Sequence, residues 1–221
     1  VGWIAPMGRV TDISIARATD PSIRNAATDG GVVTALLVDL FQRGRIDMAV
    51  VARQVGPFQR ESFLATTVED IRSAAGFFFD TAYGMKSVSD YYSTFSRVAE
   101  FNTAVSQGAH RVAYVGTPCQ IQAIRKMQTL SIYPSESITV CLGLFCSGNF
   151  NFGVRQRKQI ARIGGFQWEH VKKINIKEDL LVHLETGEVV AVLLDDLRSM
   201  KRPACNFCAD FSAEYADISF G

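Results

Sequence analysis

Hydrophobic positions along the chain switch repeatedly between a period of two and a helical period, outlining an alternation of strands and helices. Residues 11–18 alternate, with Ile13 and Ile15 set against Ser14 and Ala16, and predict a first strand. Val32, Val33, Leu36, Leu37, Leu40 and Phe41 then recur at helical spacing, with Gly44 as the stop. Residues 47–52 read as a short buried strand and residues 62–66 as another. They lead to a helix start at Thr67-Val68-Glu69-Asp70, whose carboxylates suit a first turn. A longer helix is expected over 89–107, with Tyr92, Phe95, Val98, Ala99 and Ala104 on its inner face. Residues 111–115 and 138–145 are predicted strands, the first followed by a helix marked by Ile121, Ile124 and Met127. Residues 171–176, 180–184 and 189–193 are further strands, the last two joined by the turn Glu185-Thr186-Gly187-Glu188.

This order predicts an α/β fold: a mixed sheet with flanking helices, in one domain spanning residues 1–221 with a cysteine-rich C-terminal part. Residues 216–220 are again strand-like, directly before Gly221. Domains rarely expose such a segment, so the chain is expected to be a fragment lacking its C-terminal segment.

Composition narrows the class. At 48% hydrophobic and 20% charged residues the chain can bury a real core, and a formal net charge of +1 points away from nucleic acid or an anionic membrane. The longest apolar run, residues 30–41, is broken by Thr34 and Asp39 and falls short of the about 20 residues of a membrane span. Val1-Gly2-Trp3 opens neither a basic nor an apolar leader region. Five cysteines are an odd number with one close pair, unlike a secreted disulfide framework. Reduced thiols in a cytoplasmic protein, available to a metal, fit better.

Cys205-Asn206-Phe207-Cys208 sets two sulfurs within reach of one centre, and two more ligands would complete a four-cysteine site. Cys119 and Cys146 each follow a predicted strand, where an open α/β sheet forms its ligand crevice. Four thiolates suit an iron–sulfur cluster or zinc, and the residues alone leave both open, as they do a packing role for Cys119 and Cys146. Cys141, inside an apolar run, reads as packing. His110, His170 and His183 lack metal spacing, and His183 is expected to face solvent. Asp29-Gly30-Gly31 before a helix can cradle a phosphate or simply cap the helix. No GxGxxG or Walker-type loop is present. Phe77-Phe78-Phe79 can stack on a flat ring or pack in a core.

Several segments, in order, carry a family resemblance. Asp29 to Leu37, Ala74-Ala75-Gly76, Thr117-Pro118-Cys119-Gln120, Gly143-Leu144-Phe145-Cys146, and Cys205-Asn206-Phe207-Cys208-Ala209-Asp210-Phe211 through Glu214, Asp217, Ser219 and Gly221 resemble the coenzyme F420 hydrogenase/dehydrogenase beta-subunit family. The resemblance implies an iron–sulfur flavoprotein with one 4Fe-4S cluster and FAD, the cluster on Cys119, Cys146, Cys205 and Cys208. It also implies electron transfer between cluster, flavin and a hydride carrier such as coenzyme F420, as an oxidoreductase subunit. Flavin contacts are implied at Asp29, Gly30, Gly31, Thr34, Gly76, Gly116, Thr117 and Asn149. The implied partners are other subunits of a hydrogenase, formate dehydrogenase or heterodisulfide-reductase-like complex, and a ferredoxin-like carrier. Catalytic side chains are not implied.

The chain departs from the family where a basic residue usually follows Gly76: Phe77, Phe78 and Phe79 stand there, and Ala82-Tyr83 replaces a frequent Ser-Pro. Those departures favour an alternative, a relay or structural subunit that keeps the cluster and has lost the flavin and F420 site. A zinc-stabilised binding module is a third reading. A thioredoxin-like reductase is least supported, since Cys205-x-x-Cys208 lacks the strand-to-helix context.

Overall fold

The computed structural model describes residues 3–4, 8–56, 59–76, 81–82, 99–150, 153–176 and 178–221. In chain order the strands are β1 Trp3–Ile4, β2 Gly8–Arg9, β3 Met48–Gly56, β4 Gln59–Ala65, β5 Thr81–Ala82, β6 Val112–Gly116, β7 Ile138–Leu144, β8 Val171–Ile176, β9 Leu180–Leu184, β10 Val189–Val192 and β11 Ile218–Phe220. The helices are α1 Pro21–Ala26, α2 Val32–Gln42, α3 Val68–Ser73, α4 Ala99–Ser106, α5 Pro118–Thr129 and α6 Val154–Gly164. The main sheet runs β11-β7-β6-β3-β4-β5. Its first four strands are mutually parallel, and β4 lies antiparallel to β3. This is the mixed α/β sheet the pattern predicts.

Period-two alternation explains how the sheet is covered. Val50, Val112, Tyr114 and Cys141 point to one face, packed with Phe101 of α4 and Ile121 and Ile124 of α5. Ala49, Val51, Ala113, Val115 and Leu142 point to the other, against Leu37 and Val38 of α2 and Ile71 of α3. Both faces being covered, the central strands read as near-continuous apolar runs. Thr67 and Asp70 close a capping box at the start of α3, which explains why the carboxylate there favours a helix.

A smaller antiparallel sheet, β10-β9-β8, lies between the two halves of the cysteine set in sequence. With α6 it surrounds its own core of Phe150, Ile160, Phe166, Ile174, Leu180, Val182, Val192, Leu197 and Met200. Its ends meet. Phe150 bridges Lys201, and the Arg202 N–H donates to the Asn149 carbonyl at 2.7 Å. That closure returns the chain to Cys205 beside the end of β7.

Four expectations need correction or completion. Residues 11–18 form no strand: Ile13 and Ile15 are 76% and 106% exposed, and no strand pairs with them among the described residues. Alternation without a neighbouring edge is insufficient, because strand preference is largely cross-strand packing. Of the helix expected over 89–107, α4 is described, and residues 89–98 lie outside the described residues. Cys119 sits in the first turn of α5 rather than in a loop, because Pro118 serves as a helix-starting residue. His183 is half-buried, with its Nε2 buried and unpartnered among the described residues, rather than solvated. The basic helix α6 was not foreseen, although its apolar and charged residues are segregated to different faces; Ile160 is its one buried residue.

Candidate metal centre

Adjacent parallel strands end together, and that is what sets up the site. Gly116 of β6 pairs with Gly143 of β7, so Cys119 and Cys146 leave the sheet at the same carboxyl end. β11 adds a parallel edge there, with Phe220 paired to Leu144, and the Phe145 N–H donates to the Phe220 carbonyl at 2.7 Å. Gly143 has no room for a side chain, since a Cβ would strike Ala213 and Ala216. The 205–217 segment therefore rests directly on β7.

Three further contacts hold that segment. The buried Asp210 carboxylate accepts from Gln122 Nε2 of α5 and from the Glu214 N–H, each at 3.1 Å. The Cys146 N–H donates to the Phe211 carbonyl at 2.9 Å. Asp217 accepts the Cys141 N–H at 2.7 Å and pairs with Arg125 at 2.9 Å. The Phe145 and Phe211 rings meet at a tilt of 59°, with centroids 5.1 Å apart.

These anchors hold the 205–217 segment against β7 and the residues that follow it. Burial above all, with smaller contributions from Cys119, Cys205 and Cys208, pushes the Cys146 thiol up to about 11, while a Gly148 backbone hydrogen bond acts the other way. The Asn149 N–H donates to Cys205 Sγ at 3.4 Å, and Thr117 Oγ1 lies 3.4 Å from Cys119 Sγ. Lys201 lays its aliphatic stem over Gly148, leaving no space for a side chain there. Among the described residues, no three His, Cys, Asp or Glu side chains converge closely enough to hold one metal ion. Cys141 stays apart, fully buried in the core; desolvation pushes its thiol up to about 11.

The residues implied for flavin divide into two sets. Gly116, Thr117 and Asn149 stand with the cysteines. Gly116 is confined by packing, since a Cβ would lie 2.6 Å from Tyr114 Cε1 and 3.1 Å from Gln120 Oε1. Asp29, Gly30, Gly31 and Thr34 lie at the start of α2, where Gly31 adopts a left-handed φ of 72° and no side chain caps the helix. Residues 43–47 connect α2 directly to β3, so the helix N-terminus points back toward the carboxyl end of the sheet. A Cβ on Gly30 would meet the Ala16 carbonyl at 3.0 Å, so chain packing already accounts for that glycine. Arg24 gives its guanidinium to the Ala18 and Thr19 carbonyls. Gly76, at φ 97°, is described; Phe77, Phe78, Phe79 and Lys86 lie outside the described residues.

Sequence reasoning assigned no role to Gln120, Gln122, Asp210, Asp217 or Arg125. Gln120 was legible: Thr-x-x-Gln before an apolar run is a capping-box signature. The other four work through contacts distant in sequence, which no local pattern reveals. A surface groove of about 610 Å³ along α6, lined by Arg155, Lys158, Gln159, Arg162 and Ile163, includes none of the cysteines.

The fold is a mixed α/β domain in which Cys119 and Cys146 follow adjacent parallel strands and Cys205 accepts from the Asn149 N–H. Its lineage is specific. The family model for the C terminus of the coenzyme F420 hydrogenase/dehydrogenase beta subunit matches residues 109–221, and the model for the N-terminal part of the same family matches residues 13–89. The chain belongs to this family. It is 31% identical over 221 residues to the coenzyme F420 hydrogenase subunit beta of Methanothermobacter thermautotrophicus, covering 97% of this chain and 73% of that protein. It is 29% identical over 209 residues to the coenzyme F420-dependent sulfite reductase of Methanocaldococcus jannaschii, covering 87% of this chain and 30% of that protein. A solved chain of the F420-reducing [NiFe] hydrogenase complex from Methanosarcina barkeri superposes with a TM-score of 0.76 at 31% identity, over 92% of this chain and 67% of that one. No helix among the described residues is long and apolar enough to cross a membrane.

Proposed function

We propose that this chain is an electron-transferring oxidoreductase subunit, with a 4Fe-4S cluster held by Cys119, Cys146, Cys205 and Cys208. One observation supports the reading: Cys119 and Cys146 follow the adjacent parallel strands β6 and β7, and three residues after Cys146 the Asn149 N–H donates to Cys205 Sγ at 3.4 Å. Four cysteine sulfurs suit a cubane, which spreads its ligands over four irons, and membership of the family favours it over zinc. When bound, such a cluster accepts and returns one electron at a time.

The chain's own residues set the conditions. The Asp210 and Asp217 anchors keep Cys205 and Cys208 against α5 and β7. The Asn149 N–H presents a donor to a ligand sulfur. FAD is proposed at the same end of the sheet, its phosphates toward the uncapped start of α2 at Gly31 and Thr34, its ring toward Gly116 and Thr117. A flavin there would join hydride chemistry to one-electron flow. Coenzyme F420 is the proposed hydride carrier, on the strength of the named relatives. Partner subunits of a hydrogenase-type complex, a ferredoxin-like carrier and a cytoplasmic setting belong to the same proposal.

Two observations favour the relay alternative for the flavin. Gly30 is filled by the Ala16–Arg17 backbone, and Arg24 is committed to carbonyls rather than to a phosphate. Extraction of flavin from anaerobically prepared protein, with an assay of F420 bleaching and recovery, separates the two. Stoichiometric FAD and F420 turnover support the full oxidoreductase; iron without flavin supports the relay. A Gly30→Val change is the weaker test, since it strikes chain packing first.

A further inference from the structure

We propose that Thr117 is a positioning residue that raises the reduction potential of the cluster through a hydrogen bond from its hydroxyl to Cys119 Sγ. The inference rests on the cluster reading above and extends it to a side chain that is not a ligand.

The geometry puts the Thr117 hydroxyl within reach of the Cys119 sulfur. Thr117 is the N-cap of α5 and forms a capping box with Gln120. In that box the Thr117 N–H donates to Gln120 Oε1 at 3.0 Å, so the amide oxygen has a donor before the hydroxyl is counted. The hydroxyl has two acceptors in range, Gln120 Oε1 at 3.2 Å and Cys119 Sγ at 3.4 Å. A cysteine bound to iron has no S–H, so its sulfur can only accept. Gln120 Oε1 keeps a second lone pair, so the hydroxyl divides between the two acceptors, and an iron-bound Cys119 sulfur takes it only as a donor.

The box also holds the hydroxyl in place. Gly116 cannot carry a side chain without striking Tyr114 and Gln120 Oε1, so the Gln120 amide lies close against the Gly116 backbone, and Gln120 in turn accepts from the Thr117 N–H at 3.0 Å. The Asn149 N–H provides a comparable donor to Cys205 Sγ at 3.4 Å, but it is backbone and fixed. Of these two donors, the Thr117 hydroxyl is the one that a substitution can remove.

The direction follows from charge. One-electron reduction leaves more negative charge on each ligand sulfur, while no bond to iron is made or broken. A hydrogen bond to Cys119 Sγ is therefore stronger in the reduced form, which favours reduction and makes the potential less negative. Thr117→Val keeps shape and removes the proton; Thr117→Ser keeps the proton.

The test uses the anaerobically purified holoprotein, with dithionite as reductant and EPR-monitored redox titration. Thr117→Val should retain wild-type iron yet show a midpoint displaced to more negative potential, and Thr117→Ser should return it toward wild type. After exchange into D₂O, pulsed EPR of the reduced wild type should show an exchangeable coupling that is missing in the Val variant. A Val variant with full iron and an unchanged midpoint overturns the proposal. So does loss of iron from both variants, which would make Thr117 a structural cap. Absence of any exchangeable coupling unique to wild type overturns it whatever the variants do. A wild type without iron refutes the cluster reading instead, and this inference falls with it.

Discussion

Replacing Asp217 with alanine should loosen the segment that carries Cys205 and Cys208. Its carboxylate accepts the Cys141 N–H at 2.7 Å and pairs with Arg125 at 2.9 Å. The first contact carries most of the weight. It satisfies a backbone donor of a fully buried residue, and leaving such a donor unpaired costs about 1–3 kcal/mol. The ion pair is half exposed, with side chains 29% and 45% accessible, and adds at most about 1 kcal/mol. The sum is about 1–4 kcal/mol, or a fall of about 2–16 °C in Tm for a chain of this size. Asp217→Asn keeps an acceptor for the Cys141 N–H and should lose about 1 kcal/mol or less. Urea unfolding followed by tryptophan fluorescence measures both. An alanine variant within about 0.5 kcal/mol of wild type, or an asparagine variant as unstable as alanine, would refute this division of labour between the two contacts.

Three other outcomes are expected. Serine at Cys119, Cys146, Cys205 or Cys208 should each lower bound iron, whereas Cys141→Ser should leave it intact; iron analysis reversing that order removes the ligand assignment. Cys141, pushed up to about 11 by burial, should resist iodoacetamide in the folded protein at pH 8 and react only after denaturation, as read by mass spectrometry of its peptide. The Ser22 hydroxyl and amide and then Arg72 hold the Asp20 carboxyl down to about 2. Its stabilising contribution is therefore present above the unfolded value of about 3.9 and is lost as pH falls toward about 2. Asp20→Asn should flatten the dependence of Tm on pH across that window, and an unaltered slope would contradict the linkage.

The central sheet was readable because β3, β6 and β7 are buried on both faces and therefore stand out as apolar runs. α2 was readable from its stripe and from Gly44, which lies beyond its end at φ 60°. Residues 11–18 misled because alternation says nothing about whether an edge is present to pair with. The site divides the same way. Cys205-x-x-Cys208 and the two strand-end cysteines are local signals, legible in the sequence. What holds them is nonlocal: Gln122 reaches Asp210, Asp217 reaches Cys141, and Lys201 covers Gly148. At Gly30 a packing explanation stands beside the ligand one, since a Cβ there would meet the Ala16 carbonyl at 3.0 Å.

The central claim is that four cysteines from three segments hold one cubane. Iron and acid-labile sulfide, measured on the anaerobically purified chain together with an EPR spectrum of the dithionite-reduced sample, test it most directly. The expected result is about four irons and about four sulfides per chain, with a paramagnetic signal on one-electron reduction. Stoichiometric zinc with neither iron nor sulfide, in protein never exposed to oxygen, would contradict it.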